Sequence, residues 1–74
     1  MTAESESAVN IVLNGQARLL PAPRTIAQLL TDLQMPARGV AVEVNLQIVP
    51  RSQHEQYWLS DGDRLEIVSL VGGG

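Results

Sequence analysis

The chain has 74 residues, 45% of them hydrophobic, with a formal net charge of −3 and no cysteine. That length fits one small domain burying roughly 60% of its unfolded surface, and the apolar share supports a true core. The charge argues against a groove for nucleic acid or adhesion to anionic lipid, and without thiols there are no disulfides, thiol nucleophiles or cysteine-based metal sites.

Residues 1–8, Met-Thr-Ala-Glu-Ser-Glu-Ser-Ala, are small, polar and acidic. They read as a disordered lead-in and lack the apolar stretch of a secretory signal. No apolar run approaches the roughly 18 residues of a membrane span, so cytoplasmic residence is the expectation. A globular domain is expected over residues 9–71. In Val9-Asn10-Ile11-Val12-Leu13, the residues Val9, Ile11 and Leu13 share one face at period two. Asn14-Gly15 separates this run from Gln16-Ala17-Arg18-Leu19-Leu20 and predicts a β-hairpin, because a type I′ turn needs positive φ at both central positions. Pro21 and Pro23 stop the second strand.

Thr25-Ile26-Ala27-Gln28 has the form of a capping box. Ile26, Leu29, Leu30 and Leu33 make one helical stripe, with Thr31, Asp32 and Gln34 on the wet side. Met35-Pro36 is the expected stop, giving about nine or ten residues and roughly 15 Å of helix. So short a helix needs a sheet to lie on. Val40-Ala41-Val42-Glu43-Val44 alternates with its valines inward, and Leu46-Gln47-Ile48-Val49 turns into a short strand closed by Pro50. Residues 51–59 have no clear period. Asp61-Gly62-Asp63 marks a turn, and residues 64–71 form the last strand, running into Gly72-Gly73-Gly74. Hairpin, helix, short strands and final strand predict an α+β domain. The order suggests a β-grasp, a mixed sheet of four to five strands on one helix, with the last strand central beside the first.

Catalytic sets are missing. Asp61 and Asp63 read as turn residues before acids or metal ligands. His54, the lone histidine, is expected in a solvated or edge-packing role, and Trp58 is expected to close an end of the core. No metal site is expected. In the final strand Leu65 and Ile67 fit a core face, but Val68 and Leu70 do not alternate with polar residues. Two accounts stand: a bulge or a strand buried on both sides, or an exposed apolar patch for a partner.

The glycines carry the remaining chemical idea. Residues 72–74 read as a flexible tail, slim enough for a passage that excludes side chains. Extended, residues 71–74 reach roughly 13–14 Å. Gly74 is expected to present a carboxylate to another protein's active site. Chain ends are also often small-residue-rich with no function.

Asn45-Leu46-Gln47-Ile48-Val49-Pro50-Arg51, then Asp61-Gly62-Asp63, then an apolar strand ending in diglycine resemble the ThiS family, sulfur carriers of thiamine biosynthesis, over about residues 9–74. Gly72 stands where some members have alanine, and residues 1–8 exceed shorter members. The resemblance implies a ubiquitin-like β-grasp carrier, itself no enzyme and a monomer on its own. Its Gly74 is adenylated by a ThiF-like enzyme using ATP and Mg²⁺, with no cofactor bound by the carrier. Sulfur from a donor such as a cysteine desulfurase then makes a thiocarboxylate for thiazole synthase. Gly72 and Gly73 would thread the tail, and Val68, Leu70 and Val71 would meet the partner. A molybdopterin-type carrier, a noncatalytic β-grasp interaction module and a protein tag joined through Gly74 are the alternatives.

Overall fold

The computed structural model describes residues 8–36 and 38–70. The expectations for residues 1–7, for Val71 and for the glycines at 72–74 lie outside those residues.

Asn14-Gly15 turns the chain between β1 (Val9–Leu13) and β2 (Gln16–Leu20). Both residues have positive φ, 49° and 84°, as a type I′ turn demands. The antiparallel register runs from Val9 opposite Leu20 to Leu13 opposite Gln16. The helix α1 (Ile26–Asp32) begins with the capping box: Gln28 N donates to Thr25 Oγ1 (3.1 Å) and Thr25 N to Gln28 Oε1 (3.0 Å). Its stripe buries Ile26, Leu29 and Leu30, with Leu33 partly buried against them.

The helix is shorter than the sequence suggests, seven residues rather than nine or ten. Gln34 takes the left-handed conformation (φ 61°). Gln34 N then donates to Thr31 O and Met35 N to Leu30 O, both at 2.9 Å. This is a Schellman closure, which ends the helix before Pro36 can act.

The strands β3 (Val40–Val44), β4 (Gln47–Ile48) and β5 (Arg64–Ser69) complete one mixed sheet in the order β2-β1-β5-β3-β4. The last strand is central, parallel to β1 and antiparallel to β3. Ile11, Val42, Val44, Leu65 and Ile67 from the sheet meet α1 in the core. Among the described residues, one α-helix on one face of a five-stranded sheet makes the β-grasp arrangement, and no described element covers the other face.

Two aromatic and polar expectations need correction. Trp58 does not close the core; it is 57% exposed. It pairs across an isolated bridge with Thr25, so the chain is extended there. Extended backbone sends neighbours to opposite sides, and Leu59 and Tyr57 take the inward positions. His54 is not solvated but buried, 3% exposed, within 3.0 Å of the Val49 carbonyl through Nε2. It joins the end of β4 to the turn after the 3₁₀ helix Arg51–Gln53.

Candidate functional site

The site is built on β5, because that strand leads to the glycine tail. At its entry, Asp61 and Asp63 are committed to structure. Asp61 Oδ1 accepts from Asn10 N (2.7 Å) and Nδ2 (3.3 Å). Asp63 accepts from Ser60 N (2.8 Å) and Asn45 Nδ2 (3.0 Å). Asn45 Oδ1 accepts from Arg64 N (3.0 Å), tying the β3–β4 turn to the start of β5. The Asn45 of the sequence motif is thus a structural clamp. Beside it Leu46, at φ 72° and 90% exposed, occupies a conformation that leucine seldom takes.

Midway along the strand, β1 has already turned away. Its parallel pairing with β5 covers only Val12 opposite Arg64 and Leu13 opposite Leu65. Asn14 continues the contact with its side chain. Ile67 N donates to Asn14 Oδ1 (2.8 Å), and Asn14 Nδ2 donates to Ile67 O (3.2 Å). A side-chain amide here imitates a missing strand peptide. The Asn-Gly signal announced the turn but not this second task.

At the far end, Leu70 N donates to Gly39 O (2.7 Å). The backbone is therefore held to the sheet up to the residue before Val71. Leu65 and Ile67 point into the core, while Val68 (52% exposed) and Leu70 (65%) are open. The account of a strand buried on both sides is overturned. One face of β5 packs toward α1, and among the described residues none covers the other. Ala41 stands opposite Val68, and Ile48 lies exposed further along the same open face.

Among the described residues no cluster of three or more His, Asp or Glu is placed to hold a metal. A groove of about 470 Å³ lies on the helix side, between α1 and the 51–55 turn. It is remote in topology from the open face, and its His54 is already occupied by Val49. No described helix is long and apolar enough to cross a membrane. The arrangement suits docking of a protein against the open face.

Comparison with known proteins identifies the family. The family model described as "ThiS family" matches residues 11–74. The chain belongs to the ThiS family. It is 36% identical over 66 residues to the sulfur carrier protein ThiS of Escherichia coli strain K12, covering 89% of this chain and 100% of that protein. The crystal structure of the thiamine biosynthesis protein ThiS from Geobacter metallireducens superposes with a TM-score of 0.77 at 28% identity, covering 89% of this chain and all of that one. The similarity to a thiazole synthase of Paramagnetospirillum magneticum is higher, 47% over 66 residues and 89% of this chain, yet the chain spans only 20% of that protein's length. The β-grasp fold expected from the order of elements is the fold of this ThiS family member.

Proposed function

We propose that this chain is a sulfur carrier of thiamine biosynthesis that works through its Gly74 carboxylate. The observation that carries the reading is the ThiS family match, which runs through residue 74 and includes Gly73-Gly74. The exposed Val68 and Leu70 at the root of that tail support it as a docking surface.

The chemistry follows from the weakness of a carboxylate as an electrophile, since its leaving group would be oxide. A ThiF-like adenylyltransferase joins the Gly74 carboxylate to the α-phosphorus of ATP and releases pyrophosphate. Mg²⁺ and basic groups in that enzyme stabilise the phosphate charge. The terminal sulfur of a persulfide on a donor such as a cysteine desulfurase attacks the acyl carbon. The C–S bond forms as the C–O bond to AMP breaks. A thiol then cleaves the S–S bond of the acyl disulfide, being oxidised to a disulfide as the thiocarboxylate leaves; free hydrosulfide reacts without that reductive step. The resulting thiocarboxylate delivers its nucleophilic sulfur to thiazole synthase. Gly72 and Gly73 let the tail pass where a Cβ would clash. The carrier contributes the acyl group, its reach and its docking face, while acid and base catalysis belong to the partners.

Incubation of the chain with its adenylyltransferase, ATP, Mg²⁺ and a sulfide source is expected to give, by intact-mass analysis, the gain of sulfur for oxygen. An unchanged mass with an enzyme that modifies another ThiS protein in parallel would refute the carrier reading.

The docking face gives a second expected result. Val68→Asp places a charge where an apolar partner surface would sit. Affinity for the adenylyltransferase should fall by about 10–100-fold, or roughly 1.4–2.7 kcal/mol. Stability should change by no more than about 0.5 kcal/mol, as at an ordinary exposed position. Calorimetric titration and urea unfolding measure the two. Equal losses in both would make Val68 a structural residue.

A further inference from the structure

The open face carries a charge arrangement that the fold itself does not use. In the β3–β5 register Glu43 lies directly opposite Glu66. Asn45 N donates to Arg64 O and Leu70 N to Gly39 O, two residues to one side and four to the other. Hydrogen-bonded pairs alternate along an antiparallel ladder, so Glu43 and Glu66 form one of them, with Cα atoms about 5.5 Å apart. Leu65, Ile67, Val42 and Val44 point into the core, so both glutamates point outward. Like charges directly opposite each other destabilise a sheet. Neither carboxylate has a partner among the described residues, where the one ion pair is Arg24 with Asp32. Arg64, two residues before Glu66 on the same face, stays beyond 4.0 Å of both.

Charges on strands often guard exposed edges against pairing with another chain. That explanation does not apply here, because β5 and β3 lie inside the order β2-β1-β5-β3-β4. The pair is also bordered by apolar residues. Val68 and Ala41 form the next outward row, and Ile48 stands directly opposite Glu43 on its other side. Two adjacent carboxylates flanked by Val68, Ala41 and Ile48, with Arg64 beyond 4.0 Å on the remaining side, are complementary to a guanidinium or ammonium held in an apolar surface. Removing water around such a contact strengthens it.

We infer that Glu43 and Glu66 together receive a basic side chain of the thiazole synthase when that enzyme covers the open face. This rests on the carrier reading above. The synthase is the chosen occupant because a region similar to this chain makes up a fifth of the Paramagnetospirillum magneticum thiazole synthase. Joining two modules in one chain raises their effective concentration for each other.

The test is calorimetric titration of the parent chain and of the double variant Glu43→Gln, Glu66→Gln against the thiazole synthase of the same organism, at low and high salt. The parent is expected to lose affinity as salt rises. The double variant should bind at least about tenfold more weakly at low salt and show little salt dependence. Its thermal midpoint should equal or exceed the parent's, because a repulsion has been removed. With Val68 and Leu70 intact, the variant should still show the sulfur-for-oxygen mass gain when the reaction with the adenylyltransferase is run to completion. Parent-like affinity and salt dependence in the variant would overturn the inference while the mass gain leaves the carrier reading standing. Slower adenylation with unchanged synthase binding would also overturn it, by assigning the pair to the activating enzyme. A parent chain that gains no sulfur defeats the carrier reading itself.

Discussion

Removing Gly74 is expected to abolish thiocarboxylate formation while leaving the thermal midpoint of the domain where it was. The shortened chain still ends in glycine, so the chemistry of its carboxylate is unchanged. Its position is not. The chain end retreats by about 3.3–3.6 Å. Acyl transfer requires the reacting atoms to lie about 3–3.5 Å apart, and a misplacement of about 1 Å can cost on the order of 10²-fold. The body cannot move forward to compensate if the open face of β5 is seated on the partner. Leu70 is held to Gly39 and Ile67 to Asn14, so the root of the tail is fixed relative to that face. Docking face and tail length then act as a ruler. The same reasoning predicts that one alanine added after Gly74 blocks the reaction, since an amide would occupy the carboxylate's place. Intact-mass analysis and a thermal scan test both variants. A sulfur-for-oxygen gain in the chain lacking Gly74 would remove that residue as the acceptor.

How much of this could be read beforehand depended on whether the signal was local. Asn14-Gly15 and Thr25 with Gln28 specify their turn and cap within four residues, and both stand as expected. The stripe of Ile26, Leu29 and Leu30 and the alternation in β3 identified core residues correctly because burial follows the period of each element. Proline is a visible helix stop, whereas the left-handed Gln34 that ends this helix earlier is not a residue type that announces itself. Bulk alone points Trp58 inward, but the bridge to Thr25 sets the local alternation and turns it outward. Val68 and Leu70 could be flagged as anomalous in sequence, yet only the sheet shows that their face is open. The opposition of Glu43 and Glu66 was invisible for a further reason. It depends on the register of strands separated by some twenty residues, which no short stretch encodes.

Asn14→Ala is expected to destabilise the domain by about 2–4 kcal/mol, counting roughly 0.5–1.5 for each of two hydrogen bonds and about 1 or more for alanine in a left-handed turn position. For a domain of this size, total stability is on the order of 4–11 kcal/mol, so this one amide holds a large share. The reason lies in the sheet. β1 pairs with β5 only as far as Leu65, whereas β3 pairs with it from Leu65 to Ser69. Beyond Leu65 the β1 side of the strand is held by the two Asn14 contacts to Ile67. Asn14→Gly separates the contributions, because glycine tolerates φ near 49° and loses only the clasp. It should cost about 1–3 kcal/mol. Urea unfolding gives both values, and the Ile67 amide should exchange faster in each variant under conditions where the rest of β5 stays protected. The local loss would appear at the strand that carries the docking face and tail, so sulfur loading should decline at temperatures where the domain remains folded. An alanine variant within about 0.5 kcal/mol of the parent, inside the range of ordinary surface changes, would mean that β3 alone keeps β5 in place.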